Sequence, residues 1–178
     1  WRRPPDSGLR ATWVGHSTGM IEMDGVRLLT DPVWGARASP SQIAGPKRFQ
    51  PVPVSLKALP PIDAVLVSHD HYDHLCHPTV RALAKTSVPF VTSLGVGAHL
   101  EAWGVPAERI TELDWWESHR IGSTEVEITA AQRLADLVAD VVFLLGGEGA
   151  AADAGGVCLG DADCLVDPTG RHAGAAAN

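Results

Sequence analysis

The sequence predicts an α/β domain in which helices cover the outer face of a β-sheet. Strand patterns joined by a hairpin turn come first, and strand patterns then alternate with short helical ones. Between the two parts, a dense run of histidine and aspartate residues directly follows an apolar strand pattern. The order of elements predicts the fold class, and the polar run indicates where the chemistry lies.

The first 61 residues contain three predicted strands and one long loop. Alternating or apolar β-patterns occupy residues 12–14, 20–23 and 26–30, and Asp24-Gly25 between the last two is a hairpin signal. Residues 32–61 hold many prolines and little periodicity. A loop of this length in a compact domain is usually functional.

The next 70 or so residues alternate between predicted strands and helices. An apolar strand at 64–67 precedes a helix at 78–85, which has Pro78 in its first turn. The remaining predictions are strands at 89–92, 109–113 and 125–128 and a helix at 96–103 that ends at Gly104.

The composition changes after residue 132. Residues 133–178 are rich in alanine and glycine and contain no lysine, and only 134–145 could form a helix or a buried strand. We therefore predict a domain over residues 1–132 and a weakly ordered tail over 133–178, because the tail has little apolar side chain to bury.

Composition also limits the function classes. A chain of 178 residues suits one domain, and its 45% hydrophobic content is typical of a globular protein. The net charge of −7 argues against binding of nucleic-acid phosphates. No apolar run is long enough to span a bilayer, and the first residues do not form a secretory leader.

Three cysteines, Cys76, Cys158 and Cys164, do not suggest a disulfide framework and fit a reducing compartment. We therefore predict a cytoplasmic protein, peripheral to a membrane if its substrate is a lipid. The first residue is Trp1 and not methionine, so we expect the sequence to be a segment of a longer product.

Residues 69–74, with the sequence His-Asp-His-Tyr-Asp-His, form the pattern H-x-H-x-D-H. Imidazole and carboxylate are preferred ligands of zinc. Residues two apart in an extended chain point the same way, so His69 and His71 can hold one ion together. Asp73 and His74, beyond the turn, then face a second position. Two neighbouring ions can stabilise the attacking and leaving oxygens of a hydrolysis.

This motif resembles the metal motif of the metallo-β-lactamase superfamily. The flanking strings are similar to the branch of N-acylphosphatidylethanolamine-hydrolysing phospholipase D and its bacterial relatives; they are W-V-G-H-S-T at 13–18, L-T-D-P at 29–32, A-S-P-S-Q at 38–42, G-P-K-R-F at 45–49, L-P-P-I-D-A-V-L at 59–66 and E-L-D-W-W at 112–116. The resemblance implies an αββα sandwich whose first half is present and whose second half is incomplete. It also implies two zinc ions and hydrolysis of a small-molecule or lipid phosphodiester by metal-bound hydroxide.

The resemblance assigns roles residue by residue. His69 and His71 would bind the first zinc, and Asp73 and His74 the second. Asp73 would also be catalytic, because it helps to orient the nucleophilic water. Asp161, in the turn at 160–163, matches the family's bridging aspartate only loosely and is a fifth candidate ligand.

Two further residues are candidates for a place beside the ligands or the substrate. Asp31 corresponds to a family position near the site, and His16 stands at the end of an early strand. Each has a simpler interpretation, because Asp31 before Pro32 could be a turn residue and His16 a hydrogen-bonded histidine at a strand end.

The chain departs from the family pattern after Gln132. The family has a histidine and an aromatic residue there, whereas this chain continues with Arg133 and Leu134. The change is typical of a shifted reading frame or of a divergent truncation, and His172 is too near the end to replace the family's last ligand. His119, Cys158 and Cys164 are the substitutes to consider.

Three functions therefore stay open: a phospholipase D-like zinc hydrolase, a hydrolase of another ester or a lactone, and an inactive chain with one zinc or none. Trp115 and Trp116 are expected in the core or the pocket wall, and His77 is expected to cap the helix that begins at Pro78.

Overall fold

The computed structural model describes residues 3–5, 8–132 and 139–147, which form two sheets and two α-helices. The strands are β1 (Leu9–Gly15), β2 (Thr18–Met23), β3 (Val26–Thr30), β4 (Ala64–Val67), β5 (Phe90–Ser93), β6 (Ile110–Leu113), β7 (Ser118–Ile121), β8 (Thr124–Gln132) and β9 (Ala139–Gly147). The helices are α1 (His77–Leu83) and α2 (Gly97–Ala102), with 3-10 turns at Leu56–Ala58 and Ala107–Arg109.

The first sheet has six strands in chain order, and the second has three. Strands β1, β2 and β3 pair antiparallel, whereas β3, β4, β5 and β6 pair parallel. The predicted hairpin between β2 and β3 is confirmed, because Asp24 and Gly25 both have positive φ, 49° and 83°. That geometry suits a two-residue turn whose twist matches the strands.

The six-stranded sheet is buried on both faces, as strand β4 shows. Val65 and Val67 pack in the cluster that contains helix residues, whereas Ala64 and Leu66 pack in the cluster that contains residues of β7 and β8. Since successive side chains of a strand point to opposite faces, the sheet lies between a helical layer and the second sheet. The predicted α/β fold class is confirmed for the described residues.

The helices begin and end near the predicted positions. Helix α1 begins at His77 with Cys76 as its N-cap residue, so the expectation that His77 caps the helix is wrong by one residue. Helix α2 lies within the predicted 96–103 and is followed by Gly104, whose φ of +98° suits glycine. Neither helix of the described residues has the length and apolar character that crossing a bilayer requires.

The second sheet departs most from the sequence prediction. His119 lies in β7, where it pairs with Val126, and not in a turn. Trp115 and Trp116 are about half exposed, so of the two expected places, the core and the pocket wall, the core is wrong. Residues 139–147 form strand β9, which pairs with β8 along its whole length. Residues 139–145, for which the sequence allowed a helix or a buried strand, therefore form a strand.

Candidate metal centre

The candidate site lies at one edge of the six-stranded sheet. Strand β1 runs in the same direction as the parallel strands, so the carboxyl ends of β1, β3 and β4 meet at this edge. His16 follows β1, Asp31 follows β3, and the motif at 69–74 follows β4 after Ser68. Open α/β sheets bind ligands at this end of their strands.

A turn brings the three motif imidazoles together. The backbone N–H groups of His74 and Leu75 both donate to the carbonyl oxygen of His71, at 2.9 and 2.6 Å, so the chain folds back after His71. The ring centroids of His69 and His71 lie 4.5 Å apart, and those of His69 and His74 lie 4.1 Å apart. The spacing of the motif therefore yields one cluster of imidazoles.

Asp73 lies at the open side of this cluster. Its Oδ2 is 3.2 Å from His16 Nε2 and 3.9 Å from His74 Nε2, and Ser17 Oγ donates to its carbonyl oxygen at 2.5 Å. Burial acts to raise the carboxyl pKa of Asp73, but the hydrogen bond from His16 and the charge of His74 outweigh it. The pKa is lowered overall, so Asp73 is an anion at neutral pH.

Asp31 lies on the buried side of the cluster. Its Oδ1 accepts the backbone N–H of Ser68 at 2.8 Å, and its Oδ2 is 2.9 Å from Ser68 Oγ and 3.0 Å from His74 Nδ1. The side chain of His69 joins the same group, because its Nδ1 is 2.9 Å from Ser68 Oγ. Asp31 also has a positive φ of 42°, a strained conformation that aspartate tolerates better than most residues.

Both further candidates contact a side chain of the motif. Asp31 contacts the side chain of a motif histidine, and His16 contacts the side chain of the motif aspartate. Sequence reasoning missed Ser68 and Ser17. The only available signal was position, because each hydroxyl is next to a candidate residue at the end of a strand.

The donor types fit a divalent ion such as zinc. Three imidazoles and an ionised carboxylate converge here, and the Nδ1 atoms of His69 and His74 already engage a hydroxyl and a carboxylate, as histidine ligands usually do. Among the residues that the structure describes, no three His, Cys, Asp or Glu side chains are grouped closely enough to hold one ion. Asp161, Cys158, Cys164 and His172 lie outside the described residues.

A groove of about 460 Å³ begins at His16 and runs along the loop that follows β3. Its walls include Trp13 and Phe49, of which the first is 74% exposed and the second fully exposed. Lys47 and Arg48 also line it, and the Arg48 guanidinium donates to the carbonyl oxygen of Val33 at 2.9 Å. The groove therefore combines cationic groups with apolar surface beside the candidate metal centre.

A smaller cleft of about 220 Å³ lies on the other flank of the motif, against Asp70, Tyr72 and Trp103. His99 lies 3.9 Å from Asp70 across this cleft. Asp70 and Tyr72 thus lie on the side of the motif away from the groove at His16.

Residues 26–167 match the beta-lactamase superfamily domain, which is well over half of the chain. The match includes the motif at 69–74 and the strands that position it. The chain belongs to the metallo-β-lactamase superfamily, and the resemblance drawn from the sequence is confirmed.

Two relatives place the chain within the superfamily. It is 42% identical over 118 residues to an N-acyl-phosphatidylethanolamine-hydrolyzing phospholipase D of Caenorhabditis elegans, an alignment covering 64% of this chain and 33% of that protein. It is 54% identical over 127 residues to an uncharacterized protein of Mycobacterium tuberculosis, covering 71% of this chain and 34% of that protein. The chain thus spans about a third of the length of these relatives.

Solved structures share the fold. The isothiocyanate hydrolase from Delia radicum gut bacteria superposes with a TM-score of 0.62 at 18% identity, covering 78% of this chain and 58% of that one. A diiron β-hydroxylase from Streptomyces venezuelae superposes with a TM-score of 0.60 at 22% identity, covering 82% and 28%. Because a hydrolase and a hydroxylase share it, the fold alone does not assign a reaction.

Proposed function

We propose that this chain is the motif-bearing part of a metal-dependent hydrolase, with zinc as the metal and a phosphodiester as the substrate. The observation that carries the proposal is the convergence of His69, His71, His74 and Asp73 at the carboxyl edge of the sheet. The likeness to a phospholipase D along the same residues supports this type of reaction.

The resemblance to the superfamily motif gives the side chains their proposed roles. His69 and His71 would hold one ion, and Asp73 and His74 the second. A bound divalent ion lowers the pKa of water to around 7 and so supplies a nucleophile at neutral pH. Asp73 would also orient that water, while His16 holds the Asp73 carboxylate from the groove side.

The groove supports a lipid phosphodiester as the substrate. Lys47 and Arg48 can attract the phosphate, while Trp13 and Phe49 offer apolar surface to a chain or a membrane interface. The same exposed aromatic side chains would let a cytoplasmic protein work at a membrane surface. The net charge of −7 supports a substrate other than nucleic acid.

Zinc stoichiometry together with hydrolysis tests the proposal. Purified protein of residues 1–178 is expected to bind about two zinc ions and to hydrolyse an N-acylphosphatidylethanolamine until a chelator is added. His71→Ala should abolish turnover and lower the zinc content. His99→Ala, which removes another exposed imidazole outside the cluster, is the matched control and should change neither.

An inactive chain with an incomplete metal site is the second candidate. The described residues offer two ligands to each proposed ion, whereas catalytic zinc sites usually have three protein ligands. One zinc or none, without turnover, would favour this candidate and contradict the enzyme for residues 1–178. Two zinc ions with hydrolysis of carboxylic esters or lactones, but not of phosphodiesters, would contradict the substrate assignment alone.

A further inference from the structure

The cleft on the far flank of the motif differs from the groove in size and in charge. The cleft measures about 220 Å³, whereas the groove measures about 460 Å³. Cavities for drug-sized ligands usually measure about 300–1,000 Å³, so the cleft suits a smaller group. The groove contains Lys47 and Arg48, whereas the described residues that line the cleft include the Asp70 carboxylate and no lysine or arginine. The cleft therefore favours a small group with a positive charge.

Two aromatic side chains, Tyr72 and Trp103, line the cleft together with Asp70. Trp103 is half-buried against the helical side of the core, and its ring contacts the His77 ring at a centroid distance of 4.9 Å. The indole is therefore held in place before a ligand arrives. His99 Nε2 is 3.9 Å from Asp70 Oδ2, which is longer than a hydrogen bond, so the Asp70 carboxylate can still pair with a cation.

A carboxylate beside aromatic rings suits one kind of cation. A primary ammonium has three N–H donors to satisfy, whereas a quaternary ammonium has none and is attracted by the faces of aromatic rings. A metal ion would need several ligating side chains, and the described residues around the cleft form no group of three. The lining of the cleft therefore fits a quaternary ammonium best.

The loop that follows β3 joins the groove to the cleft. Ala38 lines the groove and Pro40 lines the cleft, and two residues of chain span at most about 7 Å. On the motif side, His16 in the groove contacts Asp73, which directly follows Tyr72 of the cleft. A phosphodiester at the candidate metal centre can therefore extend one arm into the groove and the other into the cleft.

We propose that the cleft binds the quaternary ammonium of a choline headgroup, with Tyr72 and Trp103 against the cation and Asp70 as its counter-charge. This assignment rests on the proposed function, because it places the phosphate at the candidate metal centre and the apolar part of the lipid in the groove. Hydrolysis breaks the bond between phosphorus and the headgroup oxygen. Water supplies a hydroxyl to phosphorus and a proton to that oxygen, so the headgroup is released as free choline.

Binding of tetramethylammonium to the metal-free protein tests the cleft directly. In an NMR titration, the signals of residues around the cleft should shift, and Trp103→Leu and Asp70→Asn should each weaken binding by about fivefold or more. Tyr72→Leu, at an exposed position, should act in the same direction and is the second aromatic variant if Trp103→Leu does not fold.

Glu101→Gln is the matched control for this titration. It removes an exposed carboxylate of α2 that does not line the cleft, and it should bind tetramethylammonium as the natural protein does. No binding to the natural protein, or equal binding to the natural protein and to the cleft variants, would overturn the proposal.

Headgroup preference supplies a second readout. For zinc-loaded protein, kcat/KM should be about tenfold higher for dioctanoyl phosphatidylcholine than for phosphatidylglycerol with the same acyl chains, mainly through a lower KM. The ratio should fall toward one in Trp103→Leu and Asp70→Asn, and it should stay unchanged in Glu101→Gln. A ratio near one in the natural protein would overturn the headgroup assignment.

The cleft and the proposed function fail in distinguishable ways. Tetramethylammonium binding is measured without metal and without turnover. Cation binding in the cleft without hydrolysis of any phosphodiester would contradict the proposed function alone. Hydrolysis of phosphodiesters without cation binding in the cleft would contradict the headgroup site alone.

Discussion

The six-stranded sheet has a buried carboxylate near each end of its parallel strands, and the two carboxylates have different partners. Glu22, in β2, is 1% exposed and contacts Arg10 at 2.5 Å and Arg27 at 2.9 Å. Asp31, at the opposite edge, is 5% exposed and contacts a serine and a histidine. One carboxylate is paired with permanent cations, and the other contacts a hydroxyl and an imidazole, which carry no permanent charge.

This difference separates a structural ion cluster from a candidate functional one. The guanidinium groups have no acceptor atom and cannot bind a metal, so they can only satisfy Glu22. The imidazole of His74 binds Asp31 through Nδ1 and can present Nε2 elsewhere. Burial of a carboxylate is thus a weak indicator of function, whereas the chemistry of its partners is a strong one.

The largest effect on stability is expected at the structural cluster. Glu22→Gln leaves the Arg27 guanidinium, which is 6% exposed, without the charge that compensates it. Loss of one partner of a buried pair should lower the free energy of unfolding by about 3 kcal/mol, measured by urea denaturation. Zinc affinity of the folded protein should be unchanged. A loss of zinc binding would contradict the view that the Glu22 cluster is structural and separate from the metal site.

A smaller loss of stability is expected at Asp31, with a larger effect on metal. Asp31→Asn keeps a side chain that tolerates positive φ but presents an amide where the carboxylate accepts. We expect the free energy of unfolding to fall by about 1–2 kcal/mol and zinc affinity to fall by roughly ten- to a hundredfold. Asp70→Asn, at an exposed carboxylate that lies within the motif but outside the imidazole cluster, is the control and should shift neither. Unchanged zinc affinity in Asp31→Asn would show that the contact of Asp31 with His74 does not support the metal site.

Acid should affect the Glu22 cluster in a defined direction. The hydrogen bond from Arg10 opposes burial and, with Arg27, lowers the pKa of Glu22 below its ordinary value of 4.5. The folded state therefore holds this proton less tightly than the unfolded state, and Glu22 stabilises the fold above that value. The contribution is lost as pH falls through the lowered pKa. The difference in unfolding free energy between the natural protein and Glu22→Gln should shrink below about pH 4.5; a constant difference would contradict the assignment.

Part of the ion cluster around Glu22 could be predicted from the sequence. The Asp24-Gly25 turn fixes the register of β2 and β3, and with a two-residue turn Glu22 must face Arg27. The pairing of Glu22 with Arg10 needed two more facts, the tight connection at residues 16 and 17 and the register shift between Trp13 and Gly15. Local turn chemistry thus determines much of the antiparallel part of the sheet.

The candidate metal centre could be predicted only in part from the sequence, because several of its contacts join residues that are distant in sequence. The motif at 69–74 is local, and its pattern predicted three imidazoles and a carboxylate in one place. Asp31 and Ser68, however, are 37 residues apart and meet through the parallel pairing of β3 with β4, whose register no turn determines. Strand β7 was missed because its four residues, Ser-His-Arg-Ile, do not alternate between apolar and polar.

The smallest effect on stability is expected at the open side of the motif. His71 is exposed, and its ring contacts His69 at a centroid distance of 4.5 Å without a share in the Asp31 network. His71→Ala should therefore change the free energy of unfolding by no more than about 0.5 kcal/mol, since surface substitutions rarely cost more. Calorimetric titration of the same variant with zinc should show loss of at least one bound ion, because an imidazole ligand is missing. Unchanged stability together with lost zinc binding is the result expected of a metal ligand on the exposed side of the cluster. A stable variant that still binds zinc in full would show that His71 is not a ligand.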